Sequence, residues 1–313
     1  MPDIDILSVG EFIVDVLRKE LDVPLGVPAD FLGPFPSGAP ANFACQAARL
    51  GARAGFIGGV GDDDFGAANL QRFAEEGIDT TYVHKHPELS TGVAFVTYFS
   101  DGGRRFLFHI GNSAAGVMPL PSRDYVEGVK WLHICGSTLS ASAAMRDRCY
   151  EVCEMVVEAG GRVSFDPNLR PELLGGEEAV RRVCAPIMRH AALVLPSASE
   201  AEVLAGVTDP IAACKALLAG AAEVVVLKRG TEGCTVVSAD ECIEVPAFAV
   251  EAVDPTGAGD CFDAGFVVGL LEGLPLYECG RLANACGALG ASRHGPMEGA
   301  LPRDEVEAFM ASQ

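Results

Sequence analysis

The chain has 313 residues, of which 49% are hydrophobic and 21% charged, so disorder is excluded and a sizeable core is expected. Its formal charge is -20, which repels phosphate backbones and argues against nucleic acid as a partner. Any anionic small ligand must be held locally, by backbone N–H groups, a few basic side chains or a cation.

Ile4 to Val9 reads as a buried strand ending at Gly10, and Phe12 to Val16 as a second short strand. The Pro- and Gly-rich stretch from Pro24 to Pro36 reads as loop. Pro40 to Leu50 is helical, with Phe43, Ala47 and Leu50 on one face and Pro40 suited to a first turn. Arg53 to Gly58 is a strand, and Asp64 to Glu76 a helix stopped by Gly77. Tyr82 to His109 is β-rich, with strands near 92–99 and 104–109 joined by the turn Ser100-Asp101-Gly102-Gly103. This block interrupts an alternating chain and reads as an inserted sheet.

The alternation then resumes. Trp131–Cys135, Arg162–Phe165, Leu193–Leu195 and Val224–Lys228 read as strands. Helices are expected over 142–159, 177–190, 199–204 and 210–218, and three more close the chain near 258–272, 276–293 and 303–311. This rhythm implies a mostly parallel α/β sheet with helices on both faces. Eleven cysteines include no Cys-x-x-Cys pair, which reads as buried free thiols in a reducing compartment. The acidic start shows no signal-peptide pattern, and no apolar run reaches the ~20 residues of a membrane span. A soluble, cytoplasmic protein is expected.

The strongest chemical signal is Asp254-Pro255-Thr256-Gly257-Ala258-Gly259-Asp260, followed by the apolar run Phe262–Leu271. Small residues at 257 to 259 let N–H groups converge at a helix N-terminus, a site for a phosphoryl group. Asp260 at that mouth can take a proton from an attacking hydroxyl. A turn of the form Gly-x-Gly-Asp is common by itself; the seven-residue string before a buried helix is far more specific.

That string resembles the second signature of the ribokinase-like (PfkB) carbohydrate kinases, fructokinase and 2-keto-3-deoxygluconate kinase branch. Ser37-Gly38-Ala39-Pro40-Ala41-Asn42-Phe43-Ala44 resembles the first, with Ser37 in place of a glycine. The resemblance spans Gly10 to about Pro302. It implies one three-layer αβα domain over residues 1–313, with a small β-sheet lid from segments 11–36 and 79–111.

The resemblance also implies a set of roles. Asp15, Gly38, Asn42, Asn168 and Arg170 would hold the sugar, and His109 would stand where relatives carry a lid arginine. Gly257, Ala258 and Gly259 would cradle the transferring phosphoryl, with Asp260 as base. Lys228, Gly230, Gly233 and Asn284 would bind ATP, and Glu200 would hold Mg²⁺ through waters. Asp254 and Thr256 would share a K⁺ site with carbonyls of 290–295, and the lid would pair two subunits as a homodimer.

The implied activity is ATP-dependent phosphorylation of a primary hydroxyl on a ketose such as fructose. A sugar acid such as 2-keto-3-deoxygluconate is the runner-up, and a nucleoside ranks third because no aromatic cluster is evident near the substrate. From other classes, an NAD-dependent dehydrogenase fits the alternation but needs a glycine fingerprint that Gly10-Glu11-Phe12 lacks. A catalytically silent binding protein predicts loss of Asp260 or the glycines, and both are present.

Overall fold

The structure, a computed structural model, describes residues 3–169 and 174–313. Arg170, an expected sugar ligand, lies outside the described residues. β1 (Ile6–Val9) is wholly buried, as a parallel strand covered on both faces must be. The chain then leaves for β2 (Ile13–Arg18) and β3 (Phe31–Ser37), and returns through α1 (Ala39–Arg49) to β4 (Ala54–Gly61), parallel to β1. Next come α2 (Asp64–Glu75), β5 (Asp79–His86), β6 (Gly92–Tyr98), β7 (Arg104–His109) and the short α3 (Arg123–Val126). β8 (Trp131–Cys135) pairs in parallel with β1 on its other side.

The second half alternates: α4 (Gly136–Ala141), α5 (Ala143–Glu158), β9 (Arg162–Asp166), α6 (Glu177–Met188), β10 (Ala191–Val194), α7 (Ala198–Ala205), α8 (Pro210–Leu217) and β11 (Val224–Lys228). β12 (Cys234–Ser238) and β13 (Cys242–Val245) follow, then α9 (Ala258–Leu271), α10 (Leu276–Gly290) and α11 (Arg303–Ala311).

Among the described residues two sheets form. The large one runs β13-β12-β11-β10-β9-β8-β1-β4-β5, parallel except for the antiparallel pairings of β12 and β13. The small one runs β3-β2-β6-β7. From β1 the chain first builds outward through β4, then returns to add β8 on the opposite side. The crevice where that order reverses, at the carboxyl ends of the strands, is where open α/β sheets place ligands.

Period-two alternation sends Ile6 into one core and Leu7 and Val9 into the other. One core packs α1, α9 and α10 on the sheet around Phe12, Phe43, Phe56, Phe73 and Phe266. The opposite face packs α5 and α6 over Leu132, Ile134, Val163 and Phe165. α9 is buried continuously from Asp260 to Gly269, which explains why its sequence lacks a polar stripe. Gly265 and Gly269 let α10 approach: a Cβ on Gly265 would lie 2.9 Å from Ala283 Cα.

The α/β architecture agrees with the sequence, and two local readings change. The stretch read as loop contains β3, an edge strand in which Pro34 and Pro36 are tolerated because one side needs no ladder donors. The lid span read as starting at 79 begins too early. β5 pairs in parallel with β4 at the edge of the large sheet, and only β6 and β7 of that block join β2 and β3. β12 and β13, short and followed by loop, were not anticipated from the pattern.

Overpacking the α9–α10 contact tests this architecture. Gly265→Val is expected to lower unfolding free energy by about 3 kcal/mol, read as a lower denaturant midpoint at unchanged m-value.

Candidate active site

A cavity of about 520 Å³ lies between the carboxyl ends of the large sheet and the inner face of the small one. Its floor is the start of α9. Gly257 is left-handed there, with φ 82°, and a Cβ on it would meet Pro296 O at 2.3 Å, so glycine is required. Among the described residues the N–H groups of Gly257, Gly259 and Asp260 have no protein acceptor, and Gly257 and Gly259 face the cavity. Ala258 differs from expectation: its N–H turns back to Pro255 O at 3.3 Å, and it does not line the cavity. Among the described residues, the N–H groups open to an anion in the cavity are therefore those of the flanking glycines.

Asp260 sits in the first turn of α9, 9% exposed, and its Oδ2 accepts a 2.8 Å hydrogen bond from Asn42 Nδ2. Burial pushes its carboxyl up to about 7, against the Asn42 hydrogen bond and with help from the charge of Asp166. A buried acid titrating near neutrality, beside unpaired helix N–H groups, can accept a hydroxyl proton while the helix end holds the anion that forms.

Asp15, on β2, faces this floor and is 2% exposed. Burial raises it to about 7 as well, partly offset by a hydrogen bond from Ser37. Gly38 joins β3 to α1 at φ 117°, where a Cβ would strike Glu11 O at 2.2 Å. Asn42 follows in the first turn of α1, and its Oδ1 is a buried acceptor with no partner among the described residues. Asp15, Gly38 with Asn42, and Asp260 thus converge from three separate stretches of chain.

The lid wall corrects the reading of His109. Strand alternation in β7 turns Arg104, Phe106 and Phe108 into the cavity, and His109 to the opposite face, where it meets Phe95 edge-on at 6.0 Å. The cation and the aromatic wall lie on the lid after all, at 104, 106 and 108. The period-two pattern Arg104-x-Phe106-x-Phe108 was the signal that could have shown it. Glu11, buried and accepting hydrogen bonds from Ser137 Oγ at 2.6 Å and Thr138 Oγ1 at 2.5 Å, was also missed.

Asn168, Glu200 and Lys228 also line the cavity. Asn168 is left-handed (φ 34°) after β9, and its Nδ2 reaches Cys135 Sγ at 3.2 Å. Glu200 completes a capping box with Ser197 and also accepts from Leu169 N at 2.9 Å, so it binds the loop after β9 to the start of α7. Lys228 Nζ lies 3.0 Å from Asp166 Oδ1 and 3.2 Å from Asp263.

The remaining expected ATP ligands are placed elsewhere. Gly230 and Gly233 lie off the cavity wall; Gly233 fits against the end of β13, where a Cβ would meet Val245 O at 2.1 Å. Asn284 Nδ2 donates to Val245 O and Pro246 O, at 3.1 and 3.0 Å, and braces that same turn. Local patterns of glycine and asparagine carry no information about which side of a loop a ligand approaches.

Asp254 is fully buried, and both its oxygens already accept hydrogen bonds. Tyr98 Oη and Thr256 N reach Oδ1 at 2.8 and 3.0 Å, and Gly295 N reaches Oδ2 at 3.0 Å. Thr256 Oγ1 lies 3.3 Å from the same phenol. Three donors occupy three of the roughly four lone-pair positions of this carboxylate and leave about one on Oδ2 open. Its visible work is to tie β6 of the lid to the loop that begins the anion cradle.

The site matches the family that the motifs resemble. Residues 3–303 match the pfkB family carbohydrate kinase model, and the chain belongs to that family. It is 35% identical to an Escherichia coli fructokinase over 306 residues, covering 95% of this chain and 96% of the relative. It is 32% identical to a Bacillus subtilis 2-dehydro-3-deoxygluconokinase over 281 residues, covering 88% and 87%. Its structure superposes with a TM-score of 0.92 on an E. coli protein proposed to be a ribokinase II, solved with ATP and Mg²⁺. That protein is 36% identical, with 99% of this chain and 100% of that one covered. The protein is accordingly a carbohydrate kinase of the ribokinase-like fold, and the dehydrogenase alternative falls away.

Two measurements test the acid pair. Because Asp260 must be ionised to accept a proton, kcat/KM is expected to fall as pH drops through about 7. Asp15 and Asp260 bind protons more tightly folded than unfolded, so their contribution to stability is lost as pH rises from about 4 to about 7. Asp15→Asn should therefore raise the melting temperature at pH 8 by a few degrees while lowering kcat/KM by about 100-fold.

Proposed function

We propose that the enzyme transfers the γ-phosphoryl of MgATP to a primary hydroxyl of a ketose of the fructose type. The observation that carries this reading is Asp260, held by Asn42 at a helix start whose flanking glycine N–H groups are unpaired among the described residues. Asp260 takes the hydroxyl proton as the oxygen attacks, and Gly257 and Gly259 stabilise the transferring group. Asp15 accepts hydrogen bonds from sugar hydroxyls, and the buried Asn42 Oδ1 supplies one further acceptor. Glu200 and Asp166 line the same cavity and fit the water shell of a Mg²⁺ carried by the nucleotide. Bound Mg²⁺ would neutralise phosphate charge; no K⁺ is assigned a role.

A second reading, a sugar-acid substrate, is favoured by Arg104. Among the described residues it makes no ion pair within 4.0 Å, lies 5.5 Å from the Phe106 ring, and faces the cavity, where its charge also reaches Asp15. A guanidinium so placed suits a substrate carboxylate. The four-stranded sheet acts as the lid that excludes water during transfer. Its outer face exposes Phe31 and Leu107, at 38% and 47%, which supports pairing with a second copy. The residues also suit life in the cytoplasm, with free, mostly buried thiols.

An ADP-release screen over ketoses, sugar acids and nucleosides tests the reading. Asp260→Asn is expected to cut kcat about 1,000-fold on the best substrate with the fold intact. Retention of most turnover would remove Asp260 from the role. Arg104→Ala should raise KM about tenfold or more if the substrate is a sugar acid, and less than threefold for a neutral ketose.

A further inference from the structure

Asp263 lies one turn beyond Asp260 on α9 and is fully buried. Both its oxygens lie 3.2 Å from Lys228 Nζ, and Asp166 Oδ1, at the end of β9, lies 3.0 Å from the same atom. Lys228 reaches the cavity wall, and a Cβ on Gly259 would stand 3.8 Å from its ammonium. The cation therefore sits beside the helix N–H groups that face the reacting anion.

We propose that Asp263 is a positioning residue, which tethers the Lys228 ammonium against the transferring phosphoryl group from the same helix that forms the anion cradle. The inference rests on the phosphoryl-transfer reading above. A lysine has a flexible four-carbon stem, and one anchor leaves it free to swing. Two anchors, on β9 and α9, fix it by triangulation. A charge fixed before the reaction stabilises developing negative charge without reorganising.

The charge state of the group supports this. Burial, then the charge of Asp166, pushes the Asp263 carboxyl well above its ordinary range. Burial also acts to raise Asp166, but Lys228 and a hydrogen bond from Asp263 outweigh it and hold Asp166 below its ordinary range. The two acids around Lys228 are thus shifted in opposite directions. A buried ion pair contributes little to stability compared with an apolar replacement, so its place beneath the reacting centre points to function.

The test compares Asp263→Ala and Asp263→Asn, each in the wild-type and Lys228→Met backgrounds, with melting curves confirming the fold. Wild-type turnover on a sugar must be present; its absence overturns the phosphoryl-transfer reading itself. With it present, Asp263→Ala should lower kcat by about tenfold or more, leave sugar KM within about twofold, and erode the calorimetric preference for MgAMP-PNP over MgADP. Asp263→Asn, which keeps an oxygen for Lys228 and an N–H for Asp166, should recover most of that loss. In the Lys228→Met background, Asp263→Ala should add less than about twofold. Full turnover in Asp263→Ala, an equal loss without Lys228, or an Asn variant as impaired as Ala would overturn the tether.

Discussion

A carboxylate buried at the start of a buried helix is the constraint on which the site depends. Asp260 is removed from water by α1, α9 and the cavity walls, and burial by itself would leave it protonated. The 2.8 Å bond from Asn42 opposes that, and it ties α1 to α9 across 218 residues of chain. The same closeness that sets the acidity of Asp260 requires Gly265 and Gly269 behind it, so that α10 can pack against α9. Helix packing and acid–base chemistry are here one problem.

The small sheet is coupled to that centre. Tyr98, at the end of β6, donates to Asp254 at the head of the anion-cradle loop. Asp15 on β2 and Arg104 on β7 face the same cavity, so the small sheet supplies it with both an acid and a cation. Displacing the lid would disturb substrate contacts and the loop before α9 together, which suits an enzyme that must exclude water before transfer.

The net charge of -20 sets a second demand. A nucleotide approaching such a surface meets repulsion, and attraction has to be concentrated at the reacting end. The start of α9 and the Lys228 ammonium beside it supply that concentration. The two acids around Lys228 would work against it if both were ionised. Asp166 is held below its ordinary range and Asp263 is pushed well above it, which lessens that conflict.

The sequence by itself determined a great deal. Hydrophobic runs of strand length alternating with amphipathic helices specified the α/β sheet, because those periodicities are local and survive without tertiary context. The string from Asp254 to Asp260 specified a helix start of small residues beside an acid for the same reason: those residues are contiguous. Asn42 was legible as a polar residue among apolar neighbours.

Only the tertiary structure decided which face of each strand met the cavity. It turned His109 outward and Arg104 inward, a matter of one residue in register. It gave Asn284 and Gly233 to bracing β13, turned three donors onto Asp254, and moved β5 into the large sheet. It also brought Asp166, Lys228 and Asp263 together from three distant segments. Such meetings depend on strand order and close packing, and neither is written in a local pattern.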